Sequence, residues 1–194
     1  MSETRVLTPL RMTDHDVAGP ARPDDLAKLS APLTELLTTE LDEARQYLGV
    51  TAEELLLAAL CRTIGRAVGG GELRVDVHGH RVQLGCVSAR PLDATGVLNA
   101  VHRGLHSAVK SAVSPPAIAF TYYERLEPSR VDVIPADGHA VVLRAYPRGG
   151  VMQLDWWYDT RRMAHTTVDD LAAQFALALI ELTSEASPLD FATA

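Results

Sequence analysis

The chain has 194 residues, of which 47% are hydrophobic and 22% charged, a balance typical of a globular domain with a buried core. The net charge is −7 at pH 7, and the basic residues are spread singly apart from Arg161–Arg162, which argues against a nucleic-acid partner. We expect no membrane association and a cytoplasmic location, because no apolar stretch reaches membrane-spanning length and the first residues hold no apolar signal core.

The first 50 residues divide into an irregular part and a helical part. Proline, glycine and acidic residues are frequent in residues 1–23, which predicts a flexible arm or linker. The domain is then expected to span 24–186, with 187–194 as a tail. A helical pattern over 41–50 should end at Gly49.

The next segment has a strong helix start. Thr51 and Glu54 have the spacing of a capping box, in which each side chain accepts a hydrogen bond from the backbone of the other residue. The following helix is apolar nearly all round in its first half, so we expect it to be deeply buried. It contains Cys61. Cys86 lies in a predicted interior strand. We expect both cysteines to be buried reduced thiols rather than part of a disulfide framework or a zinc site.

The second half of the chain alternates strands and helices. Residues 72–82 alternate in polarity and predict one strand, and a second strand is predicted immediately after it. An amphipathic helix is predicted over 93–113, followed by strands over 117–126, 140–148 and 151–159, the last two joined as a hairpin at Gly149 and Gly150. A final helix should open at Thr166 or Thr167. This order predicts an α+β fold, with helices packed against one mixed, mostly antiparallel sheet.

The two tryptophans of the chain are adjacent, at 156 and 157. Neighbouring side chains of a strand point to opposite faces, so Trp156 joins an apolar row and Trp157 stands among polar side chains. We expect Trp157 to be covered by the helices of its own domain or by neighbouring side chains, in preference to a second domain.

Candidate catalytic residues are few. His78 and His80 are predicted on one face of a strand, and His102 and His106 on one flank of a helix. Each pair supplies two ligands where a zinc site needs three or four, so we interpret all four as solvent-facing polar side chains. The sequence therefore predicts no metal site, no cofactor and no catalytic constellation.

Six motifs occur in a characteristic order, and each is weak alone. They are VTAEELLLAALCRTIGR, VDVHGHRV, LGCVSARPL, IAFTYYERL, MQLDWWYDTRR and TTVDDLAAQFALALIEL. This order resembles the carboxy-terminal half of the condensation and epimerization domains of nonribosomal peptide synthetases. The resemblance implies a single lobe of the chloramphenicol acetyltransferase-like fold, in which two similar lobes pack as a V around an active-site channel.

The chain also departs from that family. The tryptophan and phenylalanine of the family's third motif are absent from 85–91, and Thr121 and Glu124 replace the asparagine and glycine of its fourth. The family's His-His-x-x-x-Asp-Gly motif belongs to the amino-terminal half, and no adjacent histidine pair occurs in this sequence. Because the family's candidate general base lies on the other lobe, the resemblance implies no catalytic residue in this chain and no activity without a partner lobe.

The resemblance implies a stand-alone half of a condensation-type domain in nonribosomal peptide or lipopeptide biosynthesis, whose superfamily activity is acyl or peptidyl transfer. The alternatives are a non-catalytic binding or scaffold protein that contacts carrier or synthetase modules, an inactive relic, or a remnant of a wax-ester/diacylglycerol-type acyltransferase. The expected partners are an amino-terminal condensation lobe, a synthetase module, a carrier protein or a second copy in a homodimer. The predicted contact residues are Trp157, Phe120, Thr121, Tyr122 and Tyr123.

Overall fold

A computed structural model describes residues 10, 12–69, 71–86, 93–107, 109–110, 117–135 and 138–188. Within these residues, seven strands form one sheet: β1 Leu26–Ser30, β2 Gly71–Val77, β3 His80–Cys86, β4 Val109–Lys110, β5 Ile118–Tyr122, β6 Val141–Arg148 and β7 Val151–Asp159. The helices are α1 Glu35–Leu48, α2 Ala52–Val68, α3 Ala94–His106, α4 Pro128–Val131 and α5 His165–Glu185, and a short 3₁₀ turn at Pro23–Asp25 precedes β1.

The sheet is mixed and mostly antiparallel, as predicted. Its strand order is β1-β7-β6-β5-β2-β3-β4. The pairs β2–β5 and β5–β6 are parallel, and the remaining pairs are antiparallel. The last three strands were predicted as antiparallel candidates. This is correct for the β6–β7 pair, but β5 pairs with β6 in parallel. A parallel pair needs a crossover, and the segment 123–140 supplies it instead of a tight turn.

Two hairpins have the same type of turn, and only one of them was predicted. The β6–β7 hairpin turns at Gly149 and Gly150, both with positive φ, as expected. The β2–β3 hairpin turns at His78 and Gly79, with φ of 53° and 78°. The single strand predicted over 72–82 is therefore wrong. His78 lies in the turn and His80 begins the returning strand, so the two imidazoles do not share one strand face.

The helices confirm most of the capping signals. Thr51 and Glu54 form the predicted capping box at the start of α2, and Gly49 ends α1 in the left-handed conformation. Helix α3 is shorter than the predicted 93–113, because it ends at His106 and the chain then enters β4. The predicted third motif over 85–91 lies mostly outside the described residues, as does the proline break at 115–116.

The core lies on one side of the sheet. Alternate side chains of every long strand pack there against α1, α2, α3 and α5, among them Trp156, whose ring meets Phe175 edge-on at 5.7 Å. Cys61 is buried, as predicted, and Cys86 lies in β3, although its side chain is outside the described part of the chain. The opposite side of the sheet carries a small separate cluster of Ala119, Val142 and Trp157. We call this side the open face.

Part of the segment predicted as a flexible arm packs against the domain. Met12 is buried in the core, and Arg162 Nη2 donates to the Gly19 carbonyl at 3.2 Å. The neighbouring Arg161 is held by the buried Asp159, whose carboxylate accepts two hydrogen bonds from the Arg161 guanidinium, at 2.9 and 2.8 Å. Burial opposes ionisation of Asp159, but the two arginines hold the pKa of its carboxyl below the usual range. The adjacent arginines therefore brace the fold rather than form a basic patch.

None of the helices in the described residues combines the length and the apolar character that crossing a membrane requires.

Candidate functional site

The open face is arranged in rows that cross several strands. One row runs Lys28, Trp157, Val142 and Ala119 across β1, β7, β6 and β5. The next row runs Ser30, Asp155, Arg144 and Thr121 across the same strands. Because each strand contributes one side chain to each row, residues far apart in sequence become lateral neighbours on one surface.

A buried hydrogen-bond network lies at the β1 end of the second row. Asp155 is 2% exposed, and its carboxylate accepts hydrogen bonds from Ser30 Oγ at 2.6 Å and Tyr146 Oη at 2.8 Å. Burial, together with the Asp155 carboxylate, raises the pKa of Tyr146 to about 12. The tyrosine hydroxyl therefore remains a hydrogen-bond donor at neutral pH. The two hydroxyls share one carboxylate, so the network links β1, β6 and β7 and offers no activated nucleophile.

Trp157 is covered by its own chain. It is only 7% exposed, and the Lys28 ammonium and the Arg144 guanidinium lie 5.4 and 5.9 Å from its ring. The crossover segment 123–140 helps to hold both cations, since Lys28 pairs with Asp132 and Arg144 donates to the Val133 carbonyl. The expectation that neighbouring side chains cover Trp157 in preference to a second domain agrees with these contacts.

The five predicted contact residues do not form one surface. Phe120 is fully buried in the core beneath the helices, and Tyr122 is half-buried on that same side. Thr121 is half-buried on the open face, beside Arg144. Tyr123 follows β5 and its backbone N–H donates to the Ala145 carbonyl at 2.9 Å. Alternation along β5 therefore leaves Thr121 as the residue of that strand best placed for a contact on the open face, next to a largely buried Trp157.

The structure brings the two histidine pairs together at the amino-terminal end of α2. His78 Nε2 lies 2.7 Å from Glu53 Oε1, and His102 Nδ1 lies 2.6 Å from Glu54 Oε1. The ring centroids of His102 and His106 are 4.2 Å apart, and the two rings are tilted by 43°. Next to these contacts lies a cavity of about 410 Å³, lined by Thr51, Glu53, Glu54, Val77, His78, His80, Val82, Leu105 and His106. The sequence treated the pairs separately because nothing in their spacing shows that the β2–β3 turn approaches α3.

This histidine pocket is internally paired. Glu54 is buried, which disfavours its charge, but the backbone and hydroxyl of Thr51 and the His102 imidazole hold the pKa of its carboxyl below the usual range. No group of three or more His, Cys, Asp or Glu among the described residues has an arrangement able to hold a metal ion. The pocket presents imidazole and carboxylate groups, and the Thr51 hydroxyl at its edge is already used in the capping box.

The sequence is similar to part of a polyketide synthase. The chain is 33% identical to one component of the phenolphthiocerol/phthiocerol polyketide synthase of Mycobacterium tuberculosis over 226 aligned positions, which cover 87% of this chain and 15% of that protein. The same protein of Mycobacterium bovis matches equally. This chain therefore spans about 15% of the length of these relatives. No protein-family profile matches the chain.

Several solved structures superpose on nearly the whole chain. The epimerization domain from the third module of tyrocidine synthetase B superposes with a TM-score of 0.72 at 16% identity, over 93% of this chain and 52% of that one. The first condensation domain of the CDA synthetase superposes with a TM-score of 0.66 at 14% identity, over 92% and 49%. The X-domain in the complex with OxyB from teicoplanin biosynthesis gives 0.65 at 14% identity, over 93% and 50%.

These likenesses establish the fold. The chain has the fold of the condensation-domain superfamily, and it matches about half the length of each of these three solved chains. The resemblance predicted from the order of six weak motifs is thereby confirmed at the level of fold. Because the identities are low, the fold alone carries over, and the activity does not.

Proposed function

We propose that this chain supplies the carboxy-terminal lobe of a condensation-type domain, and that its open face packs against an amino-terminal lobe. The observation that carries the proposal is the coverage: nearly the whole chain matches about half of an epimerization domain. The partner lobe would contribute the His-His-x-x-x-Asp motif, which this chain lacks, and with it the general base for acyl or peptidyl transfer. The two lobes can lie in one polypeptide or in two.

The similar proteins suggest the kind of biosynthesis in which such a domain would act. The motif order points to nonribosomal peptide or lipopeptide synthesis, and the 33% identical relative is part of a polyketide synthase. We therefore propose a role in the biosynthesis of a peptide, a lipopeptide or a polyketide, with a cytoplasmic location. The partners would be an amino-terminal lobe together with carrier or synthetase modules. A homodimer about a two-fold axis is the second way to cover the open face, because the two lobes of the fold are similar.

Activity and assembly are tested in one experiment. The chain is incubated with carrier proteins loaded with acyl and aminoacyl groups, alone and together with an amino-terminal lobe that bears the His-His motif, and condensed product is sought by mass spectrometry. We expect product only when the second lobe is present. Turnover by the chain alone that survives repurification would contradict the proposal and would direct attention to His78, His80, His102 and His106.

The open face is tested by introducing a charge at Thr121 and reversing the charge at Arg144. Thr121→Arg and Arg144→Glu should weaken association with the second lobe, whereas Tyr47→Arg on α1, on the helix side of the sheet, should leave it unchanged. Light scattering after size-exclusion chromatography measures the complex, and circular dichroism checks that each variant is folded. Equal association for all three variants would exclude the open face as the lobe contact.

A binding or scaffold role is the second candidate function. It is favoured by the X-domain, which has this fold and is seen in a complex with OxyB. In that case the chain would bind a carrier or synthetase module and would give no product with any amino-terminal lobe. The experiment above separates the two roles, because binding would persist while product would not form.

A further inference from the structure

An apolar groove lies on the helix side of the sheet, between the start of α1 and the middle of α5. Its volume is about 530 Å³, within the range of ligand and peptide sites. It is lined by Ala31, Pro32, Leu33, Thr34, Leu36, Leu37, Glu40, Leu154, Asp169, Ala172, Ala173, Ala176 and Ile180. We call it the α1–α5 groove. It lies on the opposite side of the sheet from the open face and takes no part in the proposed lobe contact.

The floor of the groove is held in place by the backbone. The segment after β1 continues along β7, where Ala31 N–H donates to the Leu154 carbonyl and Leu33 N–H to the Met152 carbonyl, both at 2.9 Å. Leu37 is buried at the base, and the α5 wall facing it is built of alanines. A concavity between two helices that is braced in this way keeps its shape without an occupant.

Large aliphatic side chains project around the groove. Leu36 is 69% exposed and Ile180 is 45% exposed, and both line it. Leu177, 51% exposed, precedes Ile180 by three residues and so lies on the same flank of α5 without lining the cavity. Contiguous exposed aliphatic side chains around a groove are typical of a protein contact.

The charged residues that line the groove are all acidic. Glu40 and Asp169 line it, and none of its described lining residues is Lys or Arg. An anionic ligand such as a fatty acid would be repelled at this rim, and an alkyl chain would leave Leu177 uncovered. A second copy docked through the same patch about a two-fold axis would bring the acidic rims together.

We propose that the α1–α5 groove binds an amphipathic helix of a partner protein, whose aliphatic side chains fill it and whose Lys or Arg residues pair with Glu40 and Asp169. This is helix-in-groove recognition, in which anchors at i, i+3, i+4 and i+7 enter an apolar trough. The inference does not depend on the proposed function, since a lobe, a scaffold and a relic would all present the groove.

The test uses three labelled 18-residue model peptides. The first is an amphipathic Leu/Lys helix, the second has the same composition in scrambled order, and the third replaces each Lys by Glu. Binding to the full chain is followed by fluorescence anisotropy. We expect the Leu/Lys helix to bind at least about tenfold more tightly than either of the others, because only it matches both the apolar trough and the acidic rim.

Variants assign the binding to the groove. Leu36→Ser and Ile180→Ser should each weaken the Leu/Lys helix about five- to tenfold, as loss of an apolar anchor does, and Asp169→Lys should weaken it by removing a charge partner. Tyr47→Ser, which is on the same helix α1 and 70% exposed, is the matched control and should have no effect. All four positions are exposed, so circular dichroism should show an unchanged fold.

Three results would overturn the proposal. The first is equal binding of the amphipathic and scrambled peptides. The second is a dimer of the chain that dissociates in Leu36→Ser, which would make a second copy the occupant. The third is binding of dodecyl maltoside that is lost in Leu36→Ser while the peptide does not bind, which would make the groove an alkyl-chain site.

Discussion

The buried network beneath the open face permits a quantitative prediction for Tyr146→Phe. The substitution removes the hydroxyl that donates to Asp155 at 2.8 Å and keeps the ring in place. A hydrogen bond to a charged group contributes about 1.5–3 kcal/mol, so the free energy of unfolding should fall by that amount at pH 7. Against a total of about 5–15 kcal/mol for a domain, this loss is readily measured.

Urea unfolding of wild type, Tyr146→Phe and Tyr47→Phe at pH 7 is the assay. Tyr47 is largely exposed, so its substitution should change the free energy of unfolding by less than about 0.5 kcal/mol. Ser30→Ala removes the second donor to the same carboxylate, and the double variant should show a non-additive loss because both hydroxyls share one acceptor. A Tyr146→Phe change no larger than that of the control would refute the interpretation that the Tyr146–Asp155 hydrogen bond stabilises the sheet.

The same residue gives an alkaline prediction. The pKa of Tyr146 is raised to about 12 in the folded state, against about 10 when unfolded. The hydroxyl therefore contributes its full stability below pH 10, and this contribution is lost as the pH rises through 12. Burial also raises the pKa of Tyr122 and Tyr158, so the ultraviolet titrations of wild type and Tyr146→Phe are compared, and their difference should contain one ionisation near pH 12. If that ionisation persists in the variant, the buried donor has been misassigned.

Three further predictions concern the helix side of the sheet. Glu54→Gln should lower the free energy of unfolding by about 1 kcal/mol at neutral pH, as measured by urea unfolding. The pKa of the Glu54 carboxyl is lowered in the folded state, so its ionised form stabilises the fold only while the pH stays above that pKa. The difference between the variant and wild type should therefore vanish as the pH falls through the lowered pKa. Gly104→Ala should destabilise in thermal unfolding, because a Cβ there would lie 3.0 Å from the side chains of Leu84 and Val82 and 3.3 Å from the Gln83 carbonyl. This crowding costs about 1–3 kcal/mol, of which the better helix propensity of alanine offsets about 1 kcal/mol, and an unchanged midpoint would mean that the neighbouring side chains yield freely. Cys61 should react slowly with a thiol reagent in the native state and rapidly in urea, and fast native labelling would show that α2 is not buried as described.

The local sequence was enough to predict those caps, helix ends and turns that depend on only a few neighbouring residues. The capping box at Thr51 and Glu54, the stop at Gly49 and the Gly149–Gly150 turn each act through their own backbone conformation or through a partner three residues away. The inward stripe of α5 follows from the helical repeat alone, and its predicted members Val168, Leu171, Phe175, Leu179 and Leu182 are all buried. The order of such elements predicted an α+β fold with one mixed sheet, and the resemblance of six motifs to condensation domains identified the fold family.

Local sequence failed where the signal was short or atypical. Strand β1 has five residues and lies at the sheet edge, where pairing with β7 supplies the stability that its own pattern does not show. The turn at His78–Gly79 was missed because histidine is an uncommon first residue for a turn that needs positive φ at both positions. In both cases the partner strand, rather than the local sequence, decides the conformation.

The surfaces that bear on function were decided by tertiary structure alone. His78, His80 and His106 line one pocket, with His102 beside His106, only because the β2–β3 turn and α3 both meet the start of α2. The sequence placed Trp157 on the polar side of β7, but it could not show that the Lys28 ammonium and the Arg144 guanidinium would cover its ring. The α1–α5 groove joins residues more than 130 positions apart, from Leu36 to Asp169. Periodicity tells which way a side chain points relative to its own strand or helix, whereas what lies opposite it is set by the packing of distant segments.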